Sequence, residues 1–288
     1  MRGGAARPAP HPLTPGPGSG IHAHALRVLF LGDVFGKPGR QAVKHFVPKL
    51  IAKLGVDLVV ANSENSAGGA GVTPESADEL LACEVDLLTS GNHIWSKREI
   101  LPYLDKPGSR QLRPANYPAA PGRGSGVAAT PDGRRLGVIN IEGRVFMKNL
   151  DDPFRTAEAE LARLTAEGVK AVLVDMHCEA TSEKNAMGHF LDGRVSAVVG
   201  THTHVQTADE RLLPGGTAFI TDVGMCGPRD SIIGVKKELV LQRFLTQRPV
   251  AFEPARREVF LHGVLVDIDE ANGRARAIER LQERLPET

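Results

Sequence analysis

Cysteine is scarce in this chain. Cys83, Cys178 and Cys226 are the three in 288 residues, and no two form a CxxC pair. Such spacing argues against a disulfide scaffold and for a reduced, cytoplasmic setting. Net charge is nearly absent as well, +1 with histidine neutral. An extended nucleic-acid surface is therefore not expected, although a local basic pocket remains open. No apolar run approaches the roughly 20 residues of a membrane helix, so no membrane partner is expected. The chain has no internal repeat and no HExxH motif, and no GK[ST] follows the glycine loop at 68–71, so that loop is not a P-loop. The remaining composition, 41% hydrophobic and 24% charged, suits a globular protein.

Residues 1–25 stand apart. They are rich in Pro, Gly and Ala and lack a continuous apolar stretch, which makes a poor secretory signal and predicts a disordered leader. His11, His22 and His24 fall in it, but a mobile segment must be ordered before it can hold a metal. One folded domain is expected over 26–288.

Within that domain strand-like and helix-like segments alternate. Ala42, Val43, Phe46, Val47, Leu50, Ile51 and Leu54 recur at helical spacing, with Gly55 as the stop. Thr73 is a candidate N-cap, with Pro74 in the first turn of a second helix. Helices are also expected over 152–167, 182–191 and 236–246. Antiparallel strands are expected over 126–141, 211–221 and 258–280. Segment 94–126 is rich in Pro and Arg and reads as loops with a short helix. This order predicts the α/β class, a two-sheet sandwich with helices outside.

Short apolar runs end in metal-binding residue types. RVLFLGD ends at Asp33, DLVVANSEN at Glu64 and Asn65, DLLTSGNH at Asn92 and His93, AVLVDMH at His177, and AVVGTHTH at His202 and His204. Ligands of open α/β sheets bind beyond the carboxyl ends of the strands, so these ends should converge. A pair of cations roughly 3.5–4 Å apart can clamp the attacking and leaving oxygens of a phosphoryl group. Glu64 could bridge the two, Asp33 adds charge, Asn92 a neutral oxygen, and His177, His202 and His204 nitrogens. In an extended HTH both histidines would point the same way and serve neighbouring ions. Mixed carboxylate, carboxamide and imidazole ligation suits Mn or Fe, with Zn possible. His93 should project away from Asn92 toward substrate, where an imidazole could protonate a leaving oxygen.

Other residues read as structural. His45 lies among apolar helix positions, and His189 and His262 have no ligand-like neighbours. Cys178 should face away from His177 into a core. Cys226 is expected near the mouth of the site. Arg110, Arg113, Asn116 and Lys184 could reach a phosphate or base, or could be ordinary solvated loop charges. The glycine loop at 68–71 could wall the site.

The motifs GD (32–33), GNH (91–93), His177 and THTH (201–204) resemble the calcineurin-like metallophosphoesterases. GDVFGKPGR, NSENSAGG, RPANYP, ATSEK, GTHTHVQTAD and LPGGTAFITDVGM resemble its YmdB-like branch almost throughout 26–288. The resemblance implies a four-layer αββα sandwich and a dinuclear metal centre. It also implies a cytoplasmic homo-oligomer that hydrolyses small cyclic nucleotides, especially 2′,3′-cyclic nucleotides. By motif, Asp33, Glu64, Asn65, Asn92, His177, His202 and His204 would be ligands and His93 catalytic. Two departures separate this branch from the wider superfamily. The usual DxH is Asp33-Val34-Phe35 here, and Asn65 would fill the place of the missing histidine. The usual GDxxD carboxylate is replaced by Glu64. A phosphomonoesterase or nucleotidase with the same site, and a non-catalytic regulator that binds nucleotide or RNA, remain open alternatives.

Overall fold

The computed structural model describes residues 25–286. The leader expected over 1–25 thus lies outside the described residues except for Ala25. That residue opens the first strand and pairs with Asp269, one position before the expected boundary.

In chain order the first half holds strand β1 (Ala25–Leu31), β2 (Asp33–Val34), helix α1 (Gly36–Leu54), β3 (Leu58–Asn62), α2 (Pro74–Leu81) and β4 (Leu87–Thr89). A 3-10 turn (Ile94–Ser96), α3 (Ile100–Leu104), β5 (Ser125–Ala129), β6 (Arg135–Glu142) and α4 (Pro153–Ala166) follow. The second half holds β7 (Ala171–His177), α5 (Thr181–Leu191), β8 (Ala197–Thr201), β9 (Arg211–Leu212), β10 (Ala218–Ile220) and β11 (Met225–Pro228). Helix α6 (Lys237–Thr246), β12 (Val259–Asp269) and β13 (Ala275–Arg284) complete it.

The strands form two sheets. One runs β2-β11-β12-β1-β3-β4 with β13 on β12, the other β5-β6-β7-β8-β10-β9. β1, β3 and β4 are parallel, as are β6, β7, β8 and β10, so each sheet gathers carboxyl ends at one edge.

Alternation along the strands explains the layers. Leu29 and Leu31 of β1 face α1 and α2, whereas Leu26, Val28 and Phe30 face the second sheet. β7 divides likewise: Leu173 meets the first sheet, and Val172, Val174 and Met176 meet α4 and α5. Both faces of these strands are therefore buried, which is why they read as continuous apolar runs. Fully burying each Val, Leu or Phe contributes about 1.5–3 kcal/mol. The result is the four-layer αββα sandwich.

The helices follow their sequence signals. α1 buries Ala42, Val43, Phe46, Val47 and Leu50, and Gly55 closes it at φ 63°, returning its N–H to the Ile51 carbonyl. Thr73 caps α2 by accepting from the Ser76 N–H, while the Ser76 hydroxyl accepts from the Thr73 N–H. α6 is different: Val240 is its one buried residue. β2 and β11 escaped the periodicity reading because two and four residues are too short to show a repeat. Among the described residues no helix is long and apolar enough to cross a membrane.

The α2 cap is a clean local test. Thr73→Ala should lower stability by about 1 kcal/mol in urea denaturation, through loss of the reciprocal cap.

Candidate metal centre

The carboxyl edges of both sheets meet at one place. Asp33 begins β2, Glu64 and Asn65 follow β3, and Asn92 and His93 follow β4. From the facing sheet come His177, the last residue of β7, and His202 and His204 just after β8. Asp33, Glu64 and His177 are completely buried.

Two sets of candidate ligand atoms share Glu64. In the first, His177 Nε2 lies 3.2 Å from Glu64 Oε2, 3.1 Å from Asn92 Oδ1 and 3.1 Å from His202 Nδ1. Asp33, Glu64 and His204 make the second, with His204 Nε2 4.0 Å from Asp33 Oδ1. The Asn65 amide sits in this set, its nitrogen 3.0 Å from both Glu64 Oε1 and His204 Nε2. A half-turn of that amide would bring its oxygen to the same place.

The histidine tautomers suit cation binding. Thr201 Oγ1 donates to Asp175 Oδ1 at 2.7 Å, so it accepts from His177 Nδ1 at 2.8 Å. His177 Nε2 is thereby left as a lone pair facing Glu64 and Asn92. The Ile233 carbonyl, 2.9 Å from His204 Nδ1, does the same for His204. Glu179 stands 3.3 Å from the outer nitrogen of His202.

Without a cation, the His177 ring carries the positive charge that this acidic site calls for. Burial pushes the Asp33 carboxyl up and Asp175 up to about 6. Burial also opposes ionisation of Glu64, yet His177 and His93 beside it hold its carboxyl well below the usual range. For His177, burial disfavours the charged ring, but Glu64, Asp33 and Asp175 lift it to about 9. Burial and the neighbouring His177 depress His202 to about 3. Asp33 Oδ1 is buried with no hydrogen-bond partner. A buried anionic oxygen without a donor is costly, and a cation shared with Glu64 and His204 satisfies it. The residues present therefore fit a pair of metal ions.

His93 stands at the rim. Its side chain is 40% exposed, with Nδ1 2.9 Å from Asn65 Oδ1 and 3.5 Å from Glu64 Oε1. Its backbone N–H donates to Glu64 Oε2 at 3.2 Å.

Several expectations need correction. The HTH segment is not extended, since His202 and His204 take φ of 98° and 66°; their rings nevertheless reach the two neighbouring groups of candidate ligands. Cys226 does not reach the mouth; it is fully buried, with its thiol donating to the His262 carbonyl. Arg113 is neither a substrate group nor a solvated charge. Its guanidinium donates to the carbonyls of residues 114, 115, 120, 121 and 122 and ties that loop together. Asn116 is buried against the backbone of Glu142 and Asp151. Lys184 is buried and paired with Asp222. Arg110 is exposed, on the side of Asp86 and Tyr103. The glycine loop does approach the site, since Gly69 packs on Phe35, which meets the His204 ring edge-on at 5.7 Å. Cys178 is buried in the core beneath α5, as expected.

Sequence reasoning missed the supporting residues. Asp175 accepts from Thr201, Thr89 and Asn62, and so anchors His177 from behind. Its signal was an acidic residue inside an apolar strand run, which has no place in a core without partners. Glu142, also at a strand end, is buried beside His177 but belongs to neither ligand set.

A two-sheet αββα sandwich with carboxylate, carboxamide and imidazole ligands at its shared strand edge defines a metal-dependent phosphoesterase. More narrowly, the chain belongs to the YmdB-like protein family, whose model matches residues 29–281. It is 48% identical over 257 residues to a 2′,3′-cyclic-nucleotide 2′-phosphodiesterase of Bacillus subtilis, covering 89% of this chain and 96% of that protein. A hypothetical protein of Thermus thermophilus has a crystal structure that superposes with a TM-score of 0.85 at 43% identity, covering 91% of this chain and all of that one. A novel phosphatase of Mycoplasma pneumoniae superposes at 0.84 and 32% identity, covering 90% and 94%.

Gly91 tests the crowding of the first ligand set. A Cβ there would fall 2.1 Å from His177 Nε2 and 2.5 Å from Glu64 Oε2. Gly91→Ala should leave the circular dichroism spectrum unchanged but cost at least one metal ion per chain by elemental analysis.

Proposed function

We propose that the protein is a two-metal phosphodiesterase that opens 2′,3′-cyclic nucleotides such as 2′,3′-cAMP to 3′-monophosphates. The observation that carries this reading is Glu64, shared by two ligand sets, with His93 at their open rim. The name of the Bacillus subtilis relative supports the substrate class. In our reading Asp33, Glu64, Asn65 and His204 hold one ion, and Glu64, Asn92, His177 and His202 the other. Bound there, the cations would supply Lewis-acid activation of water and of the phosphoryl group. Iron or manganese suits this mixed ligand set.

The chain's own groups do the rest. His93 is close enough to the shared carboxylate to lie beside a bound phosphoryl group, and exposed enough to meet the ribose. As the oxygen of water bonds to phosphorus and the phosphorus–O2′ bond breaks, its imidazolium would give a proton to O2′, leaving a 2′-hydroxyl and a 3′-phosphate. Glu64 Oε1, 3.5 Å from Nδ1, faces the charged His93 ring. Asp175 and Thr201 keep His177 in the ligating tautomer. We place the enzyme in the cytoplasm, which its three free, buried cysteines support. We also read it as a homo-oligomer, since α6 exposes Leu241, Phe244 and Leu245.

A phosphomonoesterase is the second reading, favoured by the description of the Mycoplasma pneumoniae structure as a phosphatase. Steady-state rates on 2′,3′-cAMP, 3′,5′-cAMP, AMP and a phosphopeptide separate the two; turnover confined to monoesters would overturn the diesterase. Saturable nucleotide binding without product, in metal-loaded protein, would favour a regulator instead.

His93→Ala should cut turnover of 2′,3′-cAMP by about 10²–10⁴-fold while both ions stay bound. Unchanged turnover would remove His93 from the chemistry. Chelation should abolish activity, and added Mn²⁺ or Fe²⁺ should restore it.

A further inference from the structure

Between the two histidines of the HTH segment sits Thr203, and its polar groups turn toward a buried charge. Its backbone N–H (3.2 Å) and its hydroxyl (2.7 Å) both donate to Asp222 Oδ2. The same oxygen accepts from Lys184 Nζ at 2.7 Å, and Oδ1 accepts from the Gly224 N–H at 2.8 Å. Lys184 and Asp222 are both fully buried. Space for the lysine exists because residue 200 is glycine: a Cβ there would fall 2.8 Å from Lys184 Cδ and 1.7 Å from the Thr221 carbonyl oxygen.

A buried ion pair is a weak source of stability, because desolvation consumes most of the Coulombic gain. Its location supplies a better reason. Positive φ is uncommon for residues other than glycine, yet His202 and His204 both adopt it, on either side of Thr203. That turn separates two rings which an extended strand would aim in one direction. Such a conformation persists when its surroundings over-determine it.

We propose that Lys184 and Asp222 are positioning residues for the two-ion centre, gripping Thr203 so that His202 and His204 are held in left-handed conformations aimed at separate cations. The lysine is needed for the grip. It balances a fully buried carboxylate and keeps it available to two donors of Thr203. The same short segment reaches the other sheet. Val223 donates its N–H to the Gly200 carbonyl at 2.9 Å, and Asp33 donates its own to the Gly224 carbonyl at 3.0 Å. His202 closes the circle by donating its N–H to Asp33 Oδ2 at 3.1 Å. Asp222 thus lies where the ligand-bearing ends of the two sheets are tied together. Neither member of the pair belongs to a ligand set.

The inference deepens the two-ion reading and rests on it. Mn²⁺ affinity of the full chain, measured by competition with a chelator, tests it alongside the melting temperature of metal-free protein. Thr203→Val removes the hydroxyl and keeps the shape; Thr203→Ser keeps the hydroxyl. The valine variant should bind Mn²⁺ about tenfold or more weakly, in the range of lost outer contacts to metal ligands, while the serine variant stays near wild type. Their metal-free melting temperatures should match. The double variant Lys184→Met/Asp222→Asn removes both charges together, so no lone buried ion remains. It should fold and show the same or a larger loss of affinity. Equal Mn²⁺ affinity in the valine and serine variants, or wild-type affinity in a folded double variant, would overturn the proposal. A valine variant whose weaker binding is matched by an equal drop in metal-free stability would overturn it too. Wild-type protein that takes up no cation defeats the two-ion reading itself, which is a distinguishable result.

Discussion

One carboxylate, that of Glu64, lies where the two sheets meet, and it governs the surrounding architecture. It has no contact with solvent and stands among three imidazoles, two carboxamides and a second acid. Placing it there requires the carboxyl edges of two separate parallel sheets to coincide within a few ångströms. The packing between the sheets supplies that alignment, through Val28, Phe30, Val60, Leu173 and Val199. Core packing and chemistry are thus not independent here. A slip of one sheet over the other would separate His177 from Glu64 before it exposed any apolar surface.

The carboxylates also explain why the surrounding network is so dense. Asp33, Glu64 and Asp175 are all buried in one small region. Asp175 accepts three hydrogen bonds and Glu64 two, whereas Asp33 accepts one at Oδ2 and none at Oδ1. Backbone N–H groups of His202 and His93 are recruited for the remaining oxygens. The glycines at 32, 91 and 200 belong to the same constraint, since a Cβ at each would strike backbone or a ligand side chain.

Much of this was legible in the chain. Continuous Val, Leu and Ile runs marked the strands because both faces are buried, and the residues that end them marked the site because parallel strands share an edge. Caps such as Thr73 and Gly55 could be read directly. Three features stayed hidden for physical reasons. β2 and β11 carry too few residues for a period to appear. The turn through His202 and His204 depends on Asp222, which is remote in sequence, so period-two alternation gave the wrong geometry. Lys184, Arg113 and Asn116 are polar residues in polar-looking stretches, and nothing local says whether their partners are solvent, backbone or another charge.

The three thiols carry a different implication. Burial pushes Cys178 and Cys226 up to about 12 and raises Cys83 as well. Buried thiols held in that state are poor nucleophiles toward alkylating reagents at neutral pH. The native chain is therefore already a quiet background for site-directed labelling: one cysteine introduced on the exposed Val145–Phe146 loop would react alone and could carry a fluorophore or spin label.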